Sequence, residues 1–255
     1  MTIIDKKLTW TSQQIAQHKT AASLLCQIMR ASFDLIRQNP AVTEYKVQQF
    51  IVESYAKNGL VSDNDPPIVA FRENTSFVHY FPDQKTSKRL TKNSLIMIDI
   101  WARLNENSAP YADITWMAWY GGAVPAEIKA GFDIILQSRD QGLEIIRDGL
   151  DKGVVIKNSE LGRAMEDITL SSDLQEMIPH SYGHSLGLKS CHGDTSKFGL
   201  LMSGSKMSLV NNMGYTIEPG IYVDGKYGFR SEIDFYIADG KLVVTTDIQE
   251  ELEIL

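Results

Sequence analysis

The sequence predicts an α+β fold in a single domain that spans residues 1–255, and three observations support this prediction. The apolar residues follow helical and strand periodicities in the order helix, helix, strands, then helix, helix, strands again. The hydrophobic content of 43% and the charged content of 22% are those of an ordinary globular protein. No low-complexity linker or block of like charges divides the chain. We therefore expect one domain built from two similar halves.

The first half begins with two predicted helices and continues with strands. Thr11 or Ser12 can cap the first helix, an Asn-Pro pair ends it, and Gly59 is a favourable C-terminal cap for the second. A turn-rich loop then joins two apolar strands as a hairpin. The predicted bounds are 11–39 and 43–59 for the helices, with strands at 68–71, 94–101 and 111–120.

The second half repeats this order. One helix is predicted from Pro125, a residue favourable in a first turn, to about Gly149, and the next from about Asn158 to Met177. The remaining part, residues 214–246, is rich in strand-forming residues. It is interrupted by three predicted turns, at Pro219-Gly220, Asp224-Gly225 and Asp239-Gly240.

Charge and cysteine content restrict the function and the location. The net charge of −7 argues against a nucleic-acid partner, because phosphate binding favours a basic surface. Cys26 and Cys191 lie far apart in the sequence and fit two reduced thiols. The first residues do not resemble a secretory signal, and no apolar run reaches the roughly 18–20 residues of a membrane-spanning helix. We therefore expect a cytoplasmic protein with no membrane partner.

Five side chains that metals favour stand in recognisable surroundings: Asp99, Asp113, His184, Glu218 and Glu232. Four apolar residues precede Asp99 in a predicted strand, and a buried carboxylate is costly unless its charge is compensated. Asp113 on the neighbouring strand could face it across the hairpin. Together, four carboxylates and one imidazole suit two divalent ions that carboxylates bridge.

Simpler interpretations of these residues stay open at this point. Asp99 could cap a turn, Glu218 could lie in a turn, and Arg230 could pair with Glu232 or Asp234. A lone histidine is usually a satisfied polar residue, but four of the five histidines lie near these motifs: His79, His180, His184 and His192. The fifth, His18, is expected at the surface or on a helix face.

The motifs Ala112-Asp113-Ile114-Thr115, His180-x-x-Gly-His184 and Glu218-Pro-Gly-Ile-Tyr222 carry a resemblance. From about residue 68 onward, the chain resembles the pita-bread metallopeptidases, which comprise methionine aminopeptidase, aminopeptidase P, prolidase and creatinase. The motifs and the segment Phe77-Val-His79-Tyr80 are most similar to the aminopeptidase P and prolidase branch. The chain departs from that branch in a longer hairpin loop, a slightly displaced His192 and the lack of an N-terminal domain. The last departure leaves proline specificity open.

The resemblance implies a pita-bread fold, in which two similar helix-helix-strand halves surround a curved antiparallel sheet. It also implies two divalent ions, with manganese expected first and cobalt, zinc or iron as alternatives. By resemblance, Asp99 chelates one ion and His184 and Glu218 bind the other. Asp113 and Glu232 then bridge the pair.

The resemblance also implies roles for the other site residues. Glu218 is expected to be the general base, with His79 and His192 catalytic, and His79, His180 and His192 in contact with the substrate. Tyr222 and Arg230 are expected to hold the ligands in place.

The implied activity is removal of the N-terminal residue from a small peptide, as an Xaa-Pro aminopeptidase or dipeptidase. A methionine aminopeptidase, a creatinase-like hydrolase and a non-catalytic binding module are the alternatives, and a homodimer is compatible with the resemblance.

Overall fold

The computed structural model describes residues 9–174, 179–194 and 200–255, and its elements follow the predicted order. The helices are α1 (Ser12–Gln38), α2 (Glu44–Lys57), α3 (Ala126–Asp151) and α4 (Asn158–Leu170), with a short 3-10 helix at Arg72–Ser76. The strands are β1 (Leu60–Val61), β2 (Ile68–Phe71), β3 (Ser94–Leu104), β4 (Ala112–Tyr120), β5 (Gly214–Ile217), β6 (Gly220–Val223), β7 (Tyr227–Arg230), β8 (Ile233–Ala238), β9 (Lys241–Val244) and β10 (Glu253–Ile254). This mixture of helices and mainly antiparallel strands confirms the predicted α+β class.

The first two helices begin where the sequence predicts. Gln14 N donates to Thr11 Oγ1 (3.2 Å), and Thr11 N donates to Gln14 Oε1 (2.9 Å), which forms a capping box at the start of α1. Thr43 caps α2 through a 3.3 Å bond from Lys46 N. Gly59 follows α2 with a φ of +66°, the left-handed conformation that favours glycine after a helix.

The second half differs from the prediction at one helix end. Helix α4 ends at Leu170, where Ser171 N donates to Asp167 O, so the predicted continuation is wrong at least as far as Leu174. The predicted end at Met177 lies outside the described residues. By contrast, the three predicted turns separate strands as expected, and Asp239 and Gly240 both adopt positive φ values, as a tight hairpin turn requires.

The strands form three hydrogen-bonded groups. One sheet has the order β1-β3-β4-β10, with β2 also paired to β3; a second has the order β5-β8-β9; and β6 pairs with β7. All pairs are antiparallel except β10 with β4. The β3–β4 register places Asp99 opposite Thr115, and Asp113 opposite Trp101. The two aspartates therefore lie on the same face of the hairpin, as diagonal neighbours rather than a directly opposed pair.

Each half has its own apolar core between its helices and its sheet. In the first half, α1 and α2 pack on one face of β3 and β4, and the alternating residues Ile96, Ile98 and Ile100 point into that core. In the second half, α3 and α4 pack on β5 and β8 around residues such as Ile217 and Ile233. Because side chains alternate along a strand, Asp99 lies on the face of β3 that turns away from its helices.

Two hydrogen bonds join the sheets of the two halves next to the predicted ligands. Glu232 N donates to Thr115 O (3.1 Å), and Asp113 N donates to Asp234 Oδ2 (2.9 Å). Both contacts connect β4 with the start of β8. The polar face of one hairpin is thereby held against the polar face of the other half.

His18 lies on a face of α1, one of the two expected positions, but this face is buried, so the surface alternative is wrong. Its side chain is fully enclosed on the inner face of α1, with Nδ1 2.8 Å from Tyr111 O and Nε2 2.7 Å from Thr245 Oγ1. Burial lowers the pKa of His18 to about 4, so the ring is neutral.

Both cysteines are free, as predicted, and both are buried. In the described part of the chain, none of the helices combines the length and the apolar character needed to cross a membrane.

Candidate metal centre

All five predicted ligands line one pocket of about 340 Å³ between the two halves. Strands β3 and β4 carry Asp99 and Asp113, while Glu218 follows β5 and Glu232 precedes β8. His184 lies on the extended segment that pairs with β5 through Ser185 and Tyr215. All five ligand residues are buried, with an exposed fraction of at most 8% each.

The innermost part of the pocket contains Asp113, His184 and Glu232. One ligand atom from each lies within 4.8 Å of the other two. Asp113 Oδ1 and Glu232 Oε1 are buried, and neither has a hydrogen-bond partner among the described residues. A buried carboxylate oxygen without a donor is costly, so this arrangement favours a cation that both oxygens can bind.

The orientation of His184 fits the same conclusion. Its Nδ1 lies 3.2 Å from Ser185 O, and because a carbonyl can only accept, this nitrogen carries the proton. The lone pair of Nε2 then faces Glu218 Oε1 at 3.2 Å and Asp113 Oδ2 at 3.9 Å. Burial lowers the pKa of His184 to about 3, which keeps the ring neutral. A lone pair directed at carboxylate oxygens is repulsive unless a proton or a metal ion lies between them.

The carboxyl groups show the same excess of negative charge. Burial, followed by the Glu232 carboxylate, raises the pKa of Asp113 well above its ordinary value. Burial, followed by the Glu218 carboxylate, does the same to the pKa of Glu232. Burial also raises the pKa of Glu218 to about 8. The residues present therefore fit a site for divalent cations, which would compensate charges that the protein itself leaves unbalanced.

Asp99 differs from the other carboxylates because the protein supplies its cation. Arg230 Nη1 donates to Asp99 Oδ2 (2.9 Å), and Arg230 Nη2 donates to the backbone oxygen of Val78 (2.8 Å). The guanidinium also lies 5.8 Å from the centre of the Tyr222 ring. Arg230 thus pairs with Asp99, and the alternative that it pairs with Glu232 or Asp234 is wrong.

The three predicted substrate histidines all line the pocket, in different environments. His79 and His192 are exposed, and the His192 ring centre lies 4.7 Å from that of His184. His180 is half-buried, with Nδ1 2.7 Å from Ser181 O and Nε2 3.0 Å from Tyr222 Oη. Since the carbonyl fixes the proton on Nδ1, His180 Nε2 accepts from the Tyr222 hydroxyl.

Three side chains that support the ligands were not predicted. Thr115 Oγ1 donates to Glu232 Oε2 (2.8 Å), and Thr216 Oγ1 accepts from His184 N (3.0 Å). Asp234, fully buried, accepts from Asp113 N. Each lies two residues from a ligand, within the same strand for Thr115 and next to the strand end for Thr216 and Asp234. This two-residue spacing from a predicted ligand is the sequence signal that could have identified the three side chains.

Comparison with known proteins gives consistent results. The sequence profile of Metallopeptidase family M24 matches residues 16–239. An uncharacterized peptidase of Staphylococcus haemolyticus is 24% identical over 205 residues, which are 80% of this chain and 53% of that protein. The chain therefore spans about half the length of this curated relative.

Two solved structures share the fold. The prolidase from Thermococcus sibiricus superposes with a TM-score of 0.82 at 24% identity, over 99% of this chain and 64% of that chain. The Xaa-Pro dipeptidase from Bacillus anthracis also gives a TM-score of 0.82 at 24% identity, over 99% of this chain and 66% of that chain. At this identity, the likeness establishes the fold alone.

Proposed function

The chain belongs to metallopeptidase family M24 and has the predicted pita-bread fold, and from this membership we propose that it is a metal-dependent exopeptidase. In this proposal, two divalent ions serve the removal of the N-terminal residue from a peptide, with proline as the preferred second residue. The observation that carries the proposal is the set of buried oxygens on Asp113 and Glu232, which have no donor within the described ranges and lie beside the unprotonated nitrogen of His184.

The residues proposed to hold the metal are the five that line the pocket. Asp113, His184 and Glu232 have ligand atoms close enough together to share one cation. Glu218 is close to His184. Asp99 is proposed to bind metal through the carboxylate that Arg230 orients. When bound, divalent cations in such a site polarise the scissile carbonyl and make a nearby water more acidic. Manganese is the first metal to test.

The chain's own side chains are proposed to handle the proton and the substrate. Glu218 is proposed to receive a proton from water at Oε1 and to pass it to the departing amine. His79 and His192 are exposed side chains of the pocket lining and are proposed to donate a hydrogen bond to the substrate carbonyl. Burial lowers the pKa of His79. His180 is proposed to orient Tyr222 through the hydrogen bond from the Tyr222 hydroxyl to its Nε2. It is proposed to contact the substrate only when a bond to the substrate replaces this one.

Support for proline in the second position comes from the motifs and the comparisons. The His180-x-x-Gly-His184 pattern resembles the prolidase branch, and the two solved structures are described as a prolidase and an Xaa-Pro dipeptidase. We also propose a cytoplasmic location, since two free, buried thiols suit a reducing compartment.

A substrate and metal panel tests the proposal. Purified protein would be freed of metal, reloaded with Mn²⁺, Co²⁺ or Zn²⁺, and assayed on Ala-Pro, Ala-Pro-Ala, Ala-Ala and Met-Ala-Ser. We expect metal-dependent release of the N-terminal residue, fastest from the two proline peptides. Cleavage of Met-Ala-Ser alone would indicate a methionine aminopeptidase, and metal binding without any cleavage would indicate a binding module.

A further inference from the structure

The lining of the pocket includes both buried and exposed side chains, which indicates a closed end and an open end. Ile68 and Trp101 line the closed end, where their side chains are 1% and 6% exposed. His79 and His192, both exposed, line the open end together with Leu200, which is 37% exposed. A peptide that continues beyond its scissile bond needs an exit, so its remaining residues must leave through the open end.

The closed end therefore receives the side chain of the residue that is removed. This step rests on the proposed function, because only an exopeptidase that acts at the amino terminus places its first residue at a closed end. Trp101 occupies that end directly beside the centre, since it is the cross-strand partner of Asp113 and lies two residues from Asp99 on the same strand face.

Trp101 is held in place at both its side chain and its backbone. Its indole Nε1 donates to Asp63 Oδ1 (2.7 Å), and its backbone oxygen accepts from Ser62 Oγ (2.9 Å). Cys191 Sγ lies 3.7 Å from the other oxygen of Asp63. Around the ring, Trp101 packs in a buried apolar cluster with Trp10, Ile68, Tyr111, Leu186 and Cys191. A tryptophan bonded and packed in this way cannot swing aside to admit a larger group.

We propose that Trp101 determines specificity by closing the pocket, so that the enzyme accepts peptides whose N-terminal residue is small and apolar. An apolar side chain is favoured, because Ile68 also lines the pocket and packs in the same buried apolar cluster as Trp101. The size limit follows from volume: the pocket of about 340 Å³ must hold the ions and the scissile peptide as well. A difference of one methylene in such a pocket changes kcat/KM by roughly 10–200-fold.

The test compares kcat/KM for Ala-Pro, Val-Pro, Leu-Pro and Phe-Pro in the metal-loaded protein. The wild type is expected to prefer Ala-Pro over Phe-Pro by at least about tenfold. Trp101→Ala is expected to reduce that preference at least about tenfold, measured as the ratio of kcat/KM for Ala-Pro to kcat/KM for Phe-Pro. Trp101→Leu, which keeps an apolar core residue, is expected to show a smaller change in the same direction and serves if Trp101→Ala does not fold.

The matched control is Trp119→Ala, which removes an equally buried tryptophan from the partner strand of the same hairpin, outside the pocket lining. It should leave the Ala-Pro to Phe-Pro ratio unchanged. An unchanged ratio in both Trp101 variants, or a wild type that prefers Phe-Pro, would overturn the proposal.

Failure of the proposed function would be recognised separately. If the wild type cleaves none of these peptides, calorimetric binding of free Ala, Leu and Phe to the metal-loaded protein replaces the kinetic ratio. Stronger binding of Phe by Trp101→Ala than by the wild type would still support the closed wall. Equal binding of Phe by both would contradict it.

Discussion

Two sets of buried carboxylates, Glu44 in α2 and the pair Asp113 and Glu232 in the pocket, differ in what surrounds their oxygens. All three side chains are at most 3% exposed. Four donors from one loop region satisfy both oxygens of Glu44: Phe71 N (2.7 Å), Asn74 Nδ2 (2.8 Å), Tyr80 Oη (2.8 Å) and Lys88 N (2.6 Å). By contrast, in the part of the chain that the structure describes, Asp113 and Glu232 each keep one oxygen without a donor.

This difference separates a structural carboxylate from a proposed ligand. Burial is the same in both sets, so burial alone does not identify a metal site. Donors of the protein itself satisfy the Glu44 carboxylate, and these hydrogen bonds hold the segment that carries His79 in place. It leaves Asp113 and Glu232 for a cation to compensate. If this difference is functional, the two sets should respond to substitution, metal and pH in opposite ways.

The largest expected effect comes from removing a charge in the pocket. Asp113→Asn and Glu232→Gln should each lower kcat by on the order of 10³-fold or more, with loss of one bound ion. Metal content by mass spectrometry and kcat on Ala-Pro would measure this. Neither substitution should lower the stability of the metal-free protein, because each relieves charge repulsion. Full activity with only one ion bound would contradict the two-metal proposal.

Glu44→Gln should have the opposite pattern. The amide would face donors that now bond to a carboxylate, so we expect the free energy of unfolding to fall by roughly 3 kcal/mol. Urea denaturation in excess metal would measure it, and the metal content should be unchanged. Glu53→Gln on the same helix is the control, since this exposed residue should change stability by less than about 0.5 kcal/mol. Loss of bound metal in Glu44→Gln would contradict the distinction between a structural carboxylate and a metal ligand.

Stability of the metal-free protein should fall as the pH rises from about 6.5 to 8. Burial raises the folded pKa of Glu218 from an ordinary 4.5 to about 8, so between these two values the folded state holds a proton that the unfolded state has released. More protons bound in the folded state mean that stability decreases with pH, by roughly 1.4 kcal/mol per unit. Denaturation midpoints in excess chelator would show it. Saturating metal should abolish the decrease, and a rise in stability without metal would contradict the prediction.

The smallest effect should come from Thr115, which positions Glu232 without binding metal. Thr115→Val removes the hydroxyl that donates to Glu232 Oε2, and we expect metal affinity to fall by about 10-fold. Thr115→Ser keeps the donor and should retain affinity within a few-fold. Competition with a chelating dye would measure both. Equal affinities in the two variants would show that Glu232 is held by other contacts.

Local signals in the sequence were sufficient for the helix starts and the order of the elements. The capping threonines and Gly59 act within a few residues, and the ligand motifs could be recognised because each acid interrupts an apolar run. The end of α4 was not predicted, since the apolar periodicity continues past Leu170 in the sequence.

Local sequence signals could not predict contacts between distant segments of the chain. His18 is buried because Tyr111 and Thr245 bond to both ring nitrogens, which only the folded chain brings together. The pairing of Arg230 with Asp99 rather than with a neighbour in sequence depends on the same long-range docking. The diagonal placement of Asp99 and Asp113 follows from the hairpin register, which residue types alone do not specify.

The junction between β4 and β8 has a consequence for folding. Asp113 and Glu232 come from different halves, and Asp113 N reaches Asp234 across 121 positions of sequence. An ion held by both carboxylates would act as a reversible crosslink between the two halves. It would bind the folded chain, in which the loop between the two carboxylates is already closed, and would thereby stabilise the docked arrangement. Chelation should then loosen the docking of one half on the other, and amide exchange at this seam would accelerate before either core opens.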